Sequence, residues 1–518
     1  MARTMGRDVF YITTPIYYAN DVPHIGHAYN AVATDFIARY HRLRGERVFH
    51  LTGTDEHGLK VQRAAEANGV SPKEWVDALE PKWRSVWDAL DIAYDDYIRT
   101  TEPRHAEAVT KILQAVYDNG RDDIYLGHYE GLYCVPCEAY YVEADLLPGG
   151  LCPIHERPVE VLREDNYFFR LSAYADRLLE HYDAHPGALE PASRRNEVLS
   201  LVRGGLQDFS ISRTTFQWGV PLPWDTTHVA YVWFDALTNY ITAAGYVDDQ
   251  ARFAELWPAN IHSIGKDILR FHAVYWPAML MAAGVEPPTQ VWAHGFLTVG
   301  GKKMSKTNLT GIHPSELLDT FGVDSYRYFW LRQITWGNDG DFSWEAMVDR
   351  HNADLANGLG NLASRVLAML GSYFDGAVPA VELEGCEADL PAVTADAAAR
   401  YEAHVLAVEL QSAVAAVWSI VDRANGYLVE KEPWKLAKDP DRRAELAGVL
   451  YASAELLRIL AVLIQPIMPS AAQRLWDQLG LTGAVVDQRV PKAAVWGQLE
   501  PGTQTHKGES LFPRLDTA

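Results

Sequence analysis

Cysteine is scarce in this sequence, four residues in 518. That excludes a disulfide framework and makes a reducing compartment the expected setting. Positive charge is also in deficit, with 46 Lys and Arg against 68 Asp and Glu for a formal net charge of −22. A protein that coats duplex DNA draws its affinity from neutralised phosphates, so this balance argues against DNA as a partner. A confined basic patch can still act inside a negative field. The longest basic clusters are pairs: Arg194-Arg195, Lys302-Lys303 and Arg442-Arg443. Long hydrophobic runs are missing too. The most apolar C-terminal run, Ile459–Ile464, is bounded by Arg458 and Gln465-Pro466, short of the ~20 residues a membrane span needs. Met1–Arg7 is followed by no apolar stretch of signal-peptide length. No membrane association and a cytoplasmic location are expected. There is no internal repeat and no low-complexity segment.

What is present is the composition of a folded protein, 48% hydrophobic, 22% charged and 11% aromatic. At ~100–200 residues per domain the length implies three or four compact units. The first half alternates strand-like and helix-like segments, the pattern of a parallel sheet with crossover helices. Phe10–Pro15 and Val48–Gly53 read as strands, with a helical stretch from about His27 to Arg44 between them. Ile261–Ile264 and Val291–His294 read as further short strands, each emptying into a polar loop. Ligands of such sheets sit at the carboxyl ends of the strands. Between about 117 and 223 turn residues crowd together and three of the four cysteines occur, which reads as an insertion. Beyond about 346 apolar residues recur at helical spacing through Leu406–Ile420 and Ala444–Leu463, which predicts a helix bundle. Gly358-Leu-Gly-Asn-Leu-Ala363 fits a dinucleotide-binding pattern, but its flanks read as helix, and the pattern has force only between a strand and a helix.

Four groups of residues carry chemistry. Pro23-His24-Ile25-Gly26-His27 stands where a helix begins. Helix amino termini attract phosphate, and two imidazoles flanking a glycine can hydrogen-bond a triphosphate. The plainer reading is a pair of loop histidines that cap or pack. Gly300-Gly301-Lys302-Lys303-Met304-Ser305-Lys306-Thr307 joins a glycine hinge to lysine point charges; by itself it is equally a solvated lysine turn. Cys134-x-x-Cys137 and Cys152-x-x-His155, fourteen residues between the pairs, have the spacing of a four-ligand tetrahedral zinc knuckle. Free thiols and a disulfide are the competing readings. In the C-terminal half, Asn361 and Arg365 share a helix face and Trp434 follows Lys431-Glu432-Pro433. An amide, a guanidinium and an indole are the groups that read and stack single-stranded bases, though they are also an ordinary polar pair and a half-buried tryptophan.

The pairing of HIGH near residue 25 with KMSK near residue 303 resembles the class I aminoacyl-tRNA synthetases, and within them the methionyl-tRNA synthetase family, over nearly the whole chain from Tyr11 into the bundle. The loop departs slightly, since threonine stands at 307 where the family has serine. The resemblance implies an α/β fold, a Rossmann-like doubly wound parallel sheet with a zinc-knuckle insertion, followed by an α-helical bundle. The expected division is 1–116 and 224–299 for the two halves of the catalytic domain, 117–223 for the insertion, 300–345 for the KMSK loop and link, and 346–518 for the anticodon-binding domain and tail. It implies ATP-dependent activation of L-methionine, then transfer to the terminal adenosine of tRNA(Met). His24, Gly26, His27, Lys303 and Lys306 would bind ATP, the two histidines and two lysines acting in catalysis. Segments PIYYAN, TGTDEHG, YVWFDALTNY and GKDILRFH match the family and offer Ile16, Tyr18, Asp55, Trp233, Ala236, Leu237, Tyr240 and His272 as the methionine pocket. An unbranched thioether suits a slot walled by Trp and Tyr, and Asp55 can pair with the α-ammonium; outside this context Trp233 and Tyr240 read as core aromatics. Asn361, Arg365 and Trp434 would read the CAU anticodon.

The 276 residues from His27 to Lys303 are short for relatives with a large editing insert. A cysteine-specific relative would carry a cysteine just before HIGH, whereas the first here is Cys134. One structural Zn2+ on Cys134, Cys137, Cys152 and His155 is expected, with Mg2+ accompanying ATP. A short tail from Val490 suggests a monomer. Competing functions are a class I synthetase for another amino acid, a small-molecule adenylyl transferase, which has no use for the bundle, and a non-catalytic tRNA-binding paralogue, which should have lost its phosphate ligands.

Overall fold

The computed structural model describes residues 9–135, 139–141, 143–154, 156–299, 302–303, 312–381 and 389–516. They form two compact units, one of Met1–Pro23, Val48–Val86 and Tyr94–His294, the other of His24–Arg47, Trp87–Ala93 and Gly295–Ala518.

The first unit is built on a seven-stranded sheet. Its order is Tyr17–Tyr18, Arg47–Asp55, Val9–Thr13, Ile261–Gly265, Val291–His294, Leu189–Glu190, and Asp96–Arg99 also pairs with Arg47–Asp55. The ladders are parallel, with Ile12 opposite Ile261, His262 opposite Val291 and Leu51 opposite Asp96. Tyr11, Ile12, Leu51 and Ile264 are fully buried, as a parallel sheet covered on both faces requires. The four strands expected from composition are present, and the first stops at Thr13, ahead of Pro15, which has no N–H to donate. After Val9–Thr13 the chain returns to the sheet on one side, while Ile261–Gly265 lies on the other. The strand order therefore reverses at Val9–Thr13, which is where such sheets hold ligands.

Gly53 makes the close strand approach possible. A Cβ there would lie 2.0 Å from the Ile98 carbonyl oxygen. The segment with crowded turns forms a four-stranded antiparallel sheet, Ala139–Tyr141, Ile124–Cys134, Glu160–Phe169 and Phe209–Ser210. Leu189–Glu190, from the same stretch of sequence, joins the edge of the parallel sheet instead. Two residues are too few to display a period.

The second unit is mainly helical. The helix Ile25–Leu43 packs here, with Tyr29 against Trp330 and Trp336 and Tyr40 edge-on to Tyr401. Leu390–Leu406, Leu410–Lys431, Arg443–Ile464 and Pro469–Gln478 form the bundle. The stretch expected to run unbroken from Leu406 is split, because Val408 takes φ 59 between two helices. A β-branched residue holds that conformation only when packing imposes it, and Val408 is buried. Gly358–Ala363 lie within continuous helix, not at a strand-to-helix turn. The Pro440–Ile464 stretch is long and apolar enough to cross a membrane, contrary to the sequence reading, yet its apolar window is wholly buried within the protein.

A buried charge cluster joins these helices. Asp35 Oδ2 accepts from Arg327 Nη2 at 2.6 Å and from Arg39 Nε at 2.7 Å. Arg327 also donates to the carbonyls of Ile467, Pro466 and Leu90 at 3.0–3.1 Å.

Candidate functional site

The first unit brings most of the expected pocket residues together. Tyr18 and Asp55 sit opposite each other at the carboxyl ends of adjacent strands. Trp233, Ala236 and Leu237 are buried on the short helix Val232–Leu237, Tyr240 follows on Asn239–Ala244, and His272 lies in the helical turn Phe271–Tyr275. Tyr18 meets Trp233 edge to face with centroids 6.3 Å apart, and Trp233 meets His272 likewise at 6.5 Å. The Tyr240 hydroxyl is 2.8 Å from His272 Nε2. The other ring nitrogen, Nδ1, lies 3.0 Å from the Ile268 carbonyl, so Nδ1 carries the proton and Nε2 accepts from Tyr240. Burial lowers the His272 pKa to about 4, which keeps the ring neutral near pH 7. Burial likewise raises the Tyr240 pKa, and the nearby Asp55 carboxylate adds to the effect. Ile16 is half-buried and packs on the same core. The result is an aromatic lining with one carboxylate at its edge, suited to an apolar chain that ends in an ammonium.

In the second unit His24 is the N-cap of Ile25–Leu43. Its Nδ1 accepts from the Gly26 N–H at 3.1 Å, and His27 Nδ1 accepts from the His24 N–H at 3.2 Å. The two rings stack with centroids 3.7 Å apart. Capping and phosphate binding are therefore compatible roles: the Nδ1 atoms order the first turn, which sets the position of both rings. Lys302–Lys303 form a strand antiparallel to Leu297–Val299. Lys306 and the Lys303 side chain lie outside the described residues. Asn361 opens the helix Asn361–Phe374, and one turn on the Arg365 guanidinium lies 5.4 Å from the centroid of the half-buried Trp434 ring.

Residues 10–158 and 142–367 match the family described as tRNA synthetases class I (M), and 378–518 match the anticodon binding domain of methionyl tRNA ligase. The methionine–tRNA ligase of Streptomyces coelicolor is 52% identical over 99% of this chain and 97% of its own length. That of Caldanaerobacter subterraneus is 47% identical over 98% of this chain and 79% of its own. The chain belongs to the methionine–tRNA ligases. A solved Mycobacterium tuberculosis methionyl-tRNA synthetase, in complex with methionyl-adenylate, superposes with a TM-score of 0.94 at 46% identity over 98% of this chain and 100% of that one. The apo form of the same enzyme gives 0.86 at 42% identity, over 100% of both chains.

As a methionine–tRNA ligase the chain shows several site neighbours that sequence reasoning passed over. Phe271 stacks on Trp233 at 3.8 Å with the planes 3° apart, doubling that wall. Asp235 and His57 lie inside YVWFDALTNY and TGTDEHG, so their segments had been singled out although they had not. His105 sits in a helix with no motif around it, and nothing local marks it. The expected zinc ligands divide. Cys134 ends the Ile124–Cys134 strand and Cys152 opens a turn closed by Glu156 N–H to Cys152 O at 2.8 Å, and both are buried. Cys137 and His155 lie outside the described residues. Among the described residues no three metal-ligating side chains cluster.

Proposed function

We propose that the chain activates L-methionine with ATP and charges tRNA(Met). The methionine carboxylate attacks the α-phosphorus in line, the bond to the β-phosphate oxygen breaks, and pyrophosphate leaves. A hydroxyl of the terminal adenosine of tRNA then attacks the acyl carbon, and AMP leaves. Catalysis of such steps is mostly positioning and charge stabilisation. The aromatic cluster of Tyr18, Trp233, Tyr240 and His272 with Asp55 beside it carries the specificity reading. A neutral His272 and a hydroxyl already engaged by it offer no charge of their own to a polar side chain, and Asp55 would hold the ammonium. Ile16, Ala236 and Leu237 would complete the apolar contact. His24, Gly26 and His27 at the helix start would take the triphosphate with Lys303 and Lys306, and Mg2+ would enter with ATP. In this reading 1–116 and 224–299 are the catalytic halves, 117–223 the insertion, 300–345 the link and 346–518 the anticodon-binding part. A tRNA substrate supports a cytoplasmic location.

Amino-acid-dependent ATP–pyrophosphate exchange without tRNA tests it, run with each of the twenty amino acids. Exchange with methionine alone is expected. Exchange with a different amino acid would overturn the pocket, and none from folded protein would overturn the activity.

We further propose a structural Zn2+ in the insertion, which the two described thiols, Cys134 and Cys152, support. Both are buried, and the Ile154 N–H lies 3.4 Å from Cys152 Sγ, the kind of hydrogen bond that supports a ligating thiolate. Cys134, Cys137, Cys152 and His155 would hold the ion in a closed tetrahedral set that braces the insertion and leaves no open position. Metal analysis of protein purified without chelator should find about one zinc per chain; a content far below that would remove the assignment.

The anticodon reading is supported by the Arg365–Trp434 contact. Trp434→Ala is expected to leave exchange unchanged and to lower charging of tRNA(Met) by about 10- to 100-fold, the worth of one stacked base. Equal losses in both assays would make the indole structural only.

A further inference from the structure

Asp235 stands on the pocket helix between Trp233 and Ala236, and both its oxygens are engaged. His57 Nδ1 is 2.6 Å from Oδ2, and His105 Nε2 is 2.7 Å from Oδ1. Asp235 and His105 are completely shut off from solvent and His57 nearly so. A buried carboxylate is costly unless it is hydrogen-bonded and paired. Here burial works to raise the Asp235 pKa, and the two imidazoles outweigh it and hold the carboxyl well below its usual range.

The partners come from separate parts of the sheet domain. His57 stands two residues beyond Asp55, on the loop that leaves the strand. That loop is itself tied down, with Gly58 N–H on the Trp218 carbonyl at 3.2 Å and Trp218 Nε1 on the Glu56 carbonyl at 2.5 Å. His105 belongs to the helix Pro103–Tyr117, and its Nδ1 is 3.2 Å from Thr242 Oγ1, on the segment just after Tyr240. The Val232–Leu237 helix therefore cannot shift relative to the Asp55 loop without giving up a charge-assisted hydrogen bond.

We infer that Asp235 is a positioning residue for methionine: bridged to His57 and His105, it sets the spacing between the carboxylate that receives the ammonium, Asp55, and the helix whose Trp233 and Ala236 wall the side chain. This rests on the pocket reading given above. Asp235 touches no substrate in this scheme. Its effect passes through the geometry of two walls, so it falls on methionine and spares ATP.

The test is ATP–pyrophosphate exchange, with KM measured separately for methionine and ATP. Asp235→Asn and His57→Ala are expected to raise the methionine KM by about 10- to 50-fold, the range for one hydrogen bond to a charged group. The ATP KM should stay within about twofold, as for the loss of an interaction confined to one substrate. Asparagine places its amide nitrogen where histidine has Nδ1, and glutamine where it has Nε2. His57→Asn and His105→Gln should accordingly recover most of what the alanine variants lose. Trp233→Ala serves as the control for the pocket itself. If Trp233→Ala raises the methionine KM while Asp235→Asn and His57→Ala do not, the positioning role is overturned and the pocket stands. If none of the three changes it, the pocket reading falls and takes this inference with it. Parallel losses for both substrates without rescue by asparagine would reduce the bridge to fold stability. Should Asp235→Asn not fold, the His57→Ala and His57→Asn pair decides alone.

Discussion

Lys306→Ala is expected to slow single-turnover formation of methionyl-adenylate by about 100- to 1,000-fold, the usual cost of removing one preorganised charge-stabilising donor. Negative charge grows on the oxygens of the departing pyrophosphate only as the bond to the α-phosphorus breaks. A lysine that meets this charge therefore lowers the barrier more than it strengthens binding of ATP. The helix start at His24 supplies N–H groups and a partial positive charge, but these are fixed partial charges and cannot replace a full ammonium. In the proposed pocket methionine would meet a different set of groups, the aromatic cluster and Asp55, so its dissociation constant should hold within about twofold. Rapid-quench measurement of adenylate formation, with equilibrium binding of methionine alongside, separates the two. A single-turnover rate within about threefold of the parent would sink the assignment of Lys306 to the transition state.

Asp35→Asn is expected to destabilise the second unit by about 3–5 kcal/mol, the cost of breaking a buried ion pair from one side. The change is nearly isosteric, so it isolates charge from packing. It leaves Arg327, which is fully buried, with only neutral acceptors among the carbonyls of Leu90, Pro466 and Ile467. It also removes the i, i+4 partner of Arg39. Urea unfolding followed by far-UV circular dichroism should show the midpoint of this unit falling by about 1 M or more. Asp396→Asn provides the contrast. Its pair with Arg400 is solvent-exposed on both sides, and such pairs contribute about 0–1 kcal/mol. If the two variants shift the midpoint equally, the Asp35 cluster does not hold the unit together. The consequence for function is local. Asp35 lies on the helix whose first turn is His24–His27, so loosening its grip should also blur the position of the two imidazole rings.

Much of the architecture could be read from local pattern. A strand of β-branched and aromatic residues announces itself within five positions, and Val9–Thr13 and Ile261–Gly265 were found close to where composition placed them. HIGH and KMSK are legible because each sets distinctive groups at short spacing. The same holds for Cys134-x-x-Cys137. The split at Val408 was not legible, since an unfavourable φ imposed by packing leaves no trace in apolar spacing.

Long-range pairing was the other blind spot. Asp235 meets His57 and His105 from 178 and 130 positions away, and Arg327 meets Asp35 from 292. Each is an unremarkable charged or polar residue in its own segment. Their value arises only where the chain encloses them, because burial makes an unpaired charge intolerable and so makes the partner obligatory. The sequence by itself determined the family, the places of its motifs and the kinds of secondary structure, all of which follow from residue types at short spacing. Only the tertiary structure decided that the helix beginning at His24 packs with the C-terminal half and that Asp235 bridges two histidines beside the aromatic cluster. Those outcomes depend on which distant surfaces exclude water together, and no local period encodes that.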